Sequence, residues 1–84
     1  MRMGIVVWYT PAGSGVPCAY AESRIAVIEG LGAALDVAKR VAEELAGRGA
    51  TVCEVRIYNL SNESELRDFC EEIEYEHEVC EETA

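Results

Sequence analysis

Arg24-Ile-Ala-Val-Ile-Glu-Gly-Leu-Gly-Ala-Ala-Leu-Asp-Val-Ala-Lys-Arg-Val-Ala-Glu-Glu-Leu-Ala-Gly-Arg-Gly-Ala-Thr-Val-Cys-Glu-Val-Arg-Ile-Tyr-Asn59 is the run on which the fold turns. Its opening, Arg24 to Ile28, is short, apolar and rich in β-branched residues, and Gly30 punctuates it, as suits a buried strand. From Ala33 the period changes. Leu35, Ala38, Val41/Ala42 and Leu45 recur at helical spacing, while Asp36, Lys39, Arg40, Glu43 and Glu44 fill the opposite side. Gly47-Arg48-Gly49 supplies a helix stop. From Thr51 to Tyr58 the chain alternates, with Val52, Glu54, Arg56 and Tyr58 facing one way and Thr51, Cys53, Val55 and Ile57 the other. Strand, helix, strand at this length favours a right-handed parallel crossover. The competing interpretation is one helix from Ala19 to Ala46. It would hold Gly30 and Gly32 in its interior, each costing about 1 kcal/mol against Ala, so the split arrangement is preferred.

Working outward, Gly4 to Thr10 is a strand by β-propensity, and Pro11 to Pro17 is a turn-rich loop. Cys18 to Ser23 fits either a helical turn or more loop. After Asn59, Asn62 can cap a helix, and Glu65 three residues on can close a capping-box-like pair. Leu66, Phe69, Cys70 and Ile73 give that helix an apolar face to about Glu72. Residues 73–79 alternate strictly, as a short edge strand would, yet their glutamates and the stripe through Ile73, His77 and Cys80 also fit a continued helix. The fold class expected is α/β (α+β). It comprises a small sheet with one long crossover helix, a second acidic helix, and either helix or edge strand at 73–79.

The 84 residues make one domain, a size at which a core often needs help from disulfides, metal or oligomerisation. The apolar run Ile5–Tyr9 is too short for a signal peptide or a membrane span. The sequence therefore leads us to expect a cytoplasmic protein whose four cysteines are free thiols or ligands; as disulfides they would allow three pairings. Charge is split along the chain. Residues 1–62 carry six acids and six bases, whereas residues 63–84 carry ten acids and one base, Arg67, so the net charge of −9 belongs to the C-terminal segment. Such a segment is either a solvated acidic face with a frayed tail, or one that repels nucleic acid or covers a basic surface on a partner.

Three constellations could carry chemistry. On a continuous helix Cys70, His77 and Cys80 share one side and have zinc-type donors, although C-x6-H-x2-C is no established zinc spacing. If 73–79 were a strand the cluster would dissolve, leaving Cys70 as a small core residue. Gly30-Leu-Gly32 between strand and helix resembles part of a dinucleotide fingerprint. It lacks the third glycine, places Glu29 where pyrophosphate would lie, and ends its second strand without an acid; a glycine turn into a helix accounts for it. The loop around Gly13, Ser14 and Gly15 looks a little like a flavodoxin phosphate loop, or a glutaredoxin loop retaining only Cys18. No paired-carboxylate or serine–histidine site can be assembled, so no catalytic residue is assigned and a non-enzymatic role is expected.

Ala34-Leu-Asp-Val-Ala38 with Val41, preceded by Ile25–Ile28 and followed by Val52–Ile57, resembles the second half of Alba-type chromatin and RNA-binding domains. The resemblance covers residues 25–60. It implies an Alba-like core in a dimeric (ribo)nucleoprotein component. On the sequence itself, Arg24, Lys39, Arg40, Arg48 and Arg56 are the bases placed to help contact nucleic acid. The family's loop lysines would fall at Ser14 and Gly15, and its basic hairpin is replaced by the acidic segment. Phosphate neutralisation carries most nucleic-acid affinity, so the resemblance implies the fold with reduced binding. The expectation is a small interaction module with no cofactor, forming a homo-oligomer with protein or ribonucleoprotein partners and no membrane. The alternatives are a zinc- or thiol-dependent protein using Cys70, His77 and Cys80, and a truncated flavodoxin- or thioredoxin-like domain.

Overall fold

The computed structural model describes residues 1–81. The elements run β1 (Arg2–Thr10), β2 (Glu22–Glu29), α1 (Leu31–Gly47), β3 (Thr51–Asn59), α2 (Glu63–Glu72) and α3 (Glu78–Glu81). The strand–helix–strand unit is present, and Gly30 breaks the chain ahead of α1 with φ 91°, a conformation that glycine reaches without strain. The sheet order is β2-β1-β3, with both pairings antiparallel. β2 and β3 therefore run parallel to each other, as expected of a crossover. They are not neighbours, because β1 lies between them.

That central position explains the unbroken apolar run in β1. Ile5, Val6 and Val7 are all buried, and successive residues serve opposite layers. Met3, Ile5 and Val7 pack with Ala34, Ala38 and Leu45 of α1, joined by Ile28, Val52 and Ile57. On the other face Val6 packs with Leu60, Phe69, Cys70, Ile73, Val79 and Cys80. The single sheet is thus filled on both sides, by α1 below and by α2 and α3 above. Each buried aliphatic side chain contributes about 1.5–3 kcal/mol. Phe69 meets Tyr58 edge-on with ring centroids 5.8 Å apart.

One strand departs from simple alternation. Trp8 pairs with Glu54 but Tyr9 pairs with Val52, so Cys53 is an extra residue in β3. The bulge moves Val52 onto the α1 side with Ile57, whereas strict alternation would have put it beside Tyr58. Glu54, Arg56 and Tyr58 do share the α2 side, opposite Trp8, Val6 and Gly4.

The C-terminal segment corrects two expectations. Residues 73–77 form neither a continued helix nor an edge strand, and 78–81 are a separate short helix, α3. After Glu72 the chain enters the left-handed region at Glu74 (φ 57°) and Tyr75 (φ 59°). Tyr75 N–H donates to Cys70 O at 2.8 Å and Glu74 N–H to Glu71 O at 3.2 Å, which is a Schellman ending built without glycine. The capping expectation is met only in part. Asn62 accepts from Ser64 N–H and Glu65 N–H, but the Glu65 carboxylate accepts from Asn59 N–H at 3.3 Å.

The cysteines differ most from expectation. They are not free thiols: Cys18 bonds to Cys53 and Cys70 to Cys80. The reversal at Glu74–Tyr75 is what brings Cys80 back to Cys70, with 5.6 Å between their Cα atoms.

Candidate functional site: an acid-rimmed aromatic groove

Of the sequence candidates, the bases are spread over the molecule. Arg24 and Arg48 both pair with Glu44, at 3.5 and 2.8 Å, on the α1 side of the sheet. Lys39 and Arg40 are exposed on α1. Arg56 lies on the opposite face, 2.7 Å from Glu54 and 3.1 Å from Glu72. A hydrogen bond with the Tyr58 side chain, then one with Glu54, and the charges of Glu54 and Glu72 hold its guanidinium above its usual pKa. Gly13, Ser14 and Gly15 stand exposed in a tight turn in which Ser14 N–H donates to Pro11 O at 3.3 Å.

The sulfur–imidazole cluster is also rearranged. Cys70 and Cys80 are bonded to each other and buried. His77 Nδ1 accepts from Val79 N–H at 3.1 Å and so caps α3. Among the described residues no group of three or more His, Cys, Asp or Glu side chains is placed to hold a metal ion.

A different set of residues converges. At the loop end of the β1–β2 hairpin, the chain runs back through Tyr20 and Ala21 into Glu22 and Ser23, beside Trp8. The far wall is the end of α2 and its left-handed turn: Glu72, Ile73, Glu74 and Glu76. Between them lies a groove of about 470 Å³. Trp8 is half-buried and Tyr20 is 65% exposed, so the groove has two aromatic walls. Its rim holds four carboxylates, and no Lys or Arg is among the residues lining it.

Glu72 is the inner member of that rim. Its side chain is 14% exposed, and Oε1 takes the ion pair from Arg56. Its other oxygen, Oε2, is buried without a hydrogen-bond partner. An unmet carboxylate oxygen at such a site carries a desolvation penalty. The tyrosine wall is fixed from within. Thr10 is 2% exposed, and its hydroxyl donates to Tyr20 O and accepts from Cys18 N–H, both at 2.8 Å.

Compared with protein families, curated proteins and solved structures, the chain matches none. The groove therefore has to be interpreted from its own chemistry. Two aromatic faces beside several carboxylates attract an ammonium or guanidinium group, by cation–π contact with the rings and by charge-assisted hydrogen bonds to the rim. Sequence reasoning missed most of these residues. The available signal was Trp8, the only tryptophan, directly after the aliphatic run Ile5–Val7. The alternating Glu72, Glu74 and Glu76 were legible too, but only the turn at Glu74–Tyr75 gathers them against Trp8.

Proposed function

We propose that this domain is a non-enzymatic binding module that takes a lysine or arginine side chain of a protein partner in the groove between Trp8, Tyr20 and the end of α2. The observation that carries this reading is the pairing of two aromatic walls with a rim of four carboxylates and no base. The charge of the chain supports it: the acidic excess lies in the segment that forms one wall, which raises the encounter rate with basic partners. A nucleic-acid role of the Alba kind draws less support, because Arg24, Arg48 and Arg56 are engaged by glutamates on opposite faces of the sheet.

Trp8 is the sole tryptophan, so its emission reports on the groove directly. Titration with a short lysine- and arginine-containing peptide should change that emission saturably, and the affinity should fall as salt rises. Neutralising the rim with Glu22→Gln and Glu76→Gln should weaken binding about tenfold, as expected for two charge-assisted contacts at a partly exposed site. A flat titration, or one matched by a glutamate-rich peptide, would dispose of the proposal. Retention of the protein by single-stranded RNA at low salt, with no peptide effect, would favour the nucleic-acid reading in its place.

A further inference from the structure

The two disulfides sit in opposite surroundings. Cys70 and Cys80 are 1% and 0% exposed, inside the core formed by Val6, Phe69 and Ile73. Cys18 is exposed on the loop between β1 and β2, and Cys53 is half-buried in the bulge of β3. Thiol–disulfide exchange requires a thiolate to reach one sulfur while the other leaves. Only the Cys18–Cys53 pair includes a residue exposed to solvent in the folded molecule.

From this geometry we propose that Cys18–Cys53 is a reversible redox-exchange site whose co-reactant is a dithiol. A thiolate of the dithiol attacks Cys18 Sγ, forming a new S–S bond there. The Cys18–Cys53 bond breaks, and its electron pair leaves on Cys53 Sγ as a thiolate. The dithiol's second thiolate then attacks its own sulfur in the mixed disulfide and releases Cys18. The co-reactant ends as a disulfide, and Cys18 and Cys53 end reduced, each taking up a proton.

Two features suit the pair to this use. Thr10 Oγ1 lies 3.6 Å from Cys53 Sγ, so its hydroxyl, on turning away from Tyr20 O, supplies a hydrogen bond to the departing thiolate, which aids departure. The loop does not depend on the disulfide alone, since Thr10 Oγ1 also accepts from Cys18 N–H, a bond that survives the rotation. Opening the bond therefore leaves the loop seated and the two sulfurs near enough to close again. Cys53 is the extra residue of the bulge, so the β1–β3 ladder is not built on its pairing.

The test uses the full, oxidised chain in native buffer. Dithiothreitol is added, samples are quenched with N-ethylmaleimide, and alkylated cysteines are mapped by peptide mass spectrometry. Cys18 and Cys53 should be labelled together, about 100-fold faster than Cys70 and Cys80, whose exposure requires the core to open. Far-UV circular dichroism should stay native, and oxidised dithiothreitol should restore the bond. Reduction of both pairs at one rate, or loss of Cys18–Cys53 only as the protein unfolds, would overturn the proposal. A monothiol, glutathione, traps the intermediate: its adduct should lie on Cys18, and an adduct chiefly on Cys53 would refute the assigned direction of attack.

Discussion

Gly4 and Phe69 compete for one volume. A Cβ built on Gly4 would lie 2.6 Å from Phe69 Cε1 and 2.7 Å from Cδ1, so the ring rests directly on the backbone of the central strand. A Gly4→Ala substitution should destabilise the fold by about 1–3 kcal/mol through overpacking, visible as a lower urea midpoint. Pairing it with Phe69→Leu should recover part of the loss, because the two changes share one space. Additive losses in that double-mutant cycle would mean that the ring can move aside.

Thr10 is a buried hydroxyl with two obligations, to Cys18 N–H and to Tyr20 O. Replacing it with Val keeps the shape and strands both partners. The expected loss is about 2 kcal/mol, with a change in Trp8 emission as Tyr20 shifts. If stability is unchanged, water must reach those groups in the variant.

The ends of α2 make opposite predictions. Asn62→Ala removes the acceptor for Ser64 N–H and Glu65 N–H and should cost about 1 kcal/mol. Glu74→Gly should stabilise by about 1 kcal/mol, since Glu74 holds φ 57°, where a side chain is unfavourable and glycine is not. Thermal melts of the two variants should move in opposite directions.

Cys70–Cys80 closes a span of 10 residues and Cys18–Cys53 one of 35. Loop entropy alone assigns about 3 and about 4 kcal/mol to them. Burial should reverse that order: the Cys70→Ala/Cys80→Ala pair also opens voids beside Phe69 and Ile73, whereas the exposed pair does not. Urea denaturation of the two double variants decides the matter. A larger loss for Cys18→Ala/Cys53→Ala would show that chain closure outweighs packing here.

The core of the fold could be read from local pattern because its signals are local. The helical stripe through Ala38 and Leu45, the Gly30 break and the Asn62 cap each depend on neighbours within a few residues. The bulge at Cys53 could not be read this way, since it arises from the pairing of β3 with β1. The alternation that misplaced Val52 is a property of one strand taken alone. The turn at Glu74–Tyr75 was hidden for a related reason. Glutamate and tyrosine seldom take a left-handed conformation, so nothing in their identity announces a reversal. Both disulfides, and the groove that the reversal helps to build, are tertiary facts of this kind.

The placement of β1 carries a consequence for how the molecule comes into being. Of the three strands in this sheet, the one that ends up in the middle is synthesised before the other two, so both of its edges await β2 and β3. β2 can close one edge as a hairpin, but the other waits for Thr51–Asn59, after the whole of α1 has emerged. A nascent chain shorter than that exposes Ile5, Val6 and Val7 beside an unsatisfied backbone edge, the kind of surface that recruits chaperones or pairs with a neighbour. Completion of β3 is therefore the step at which this protein becomes safe from its own first strand.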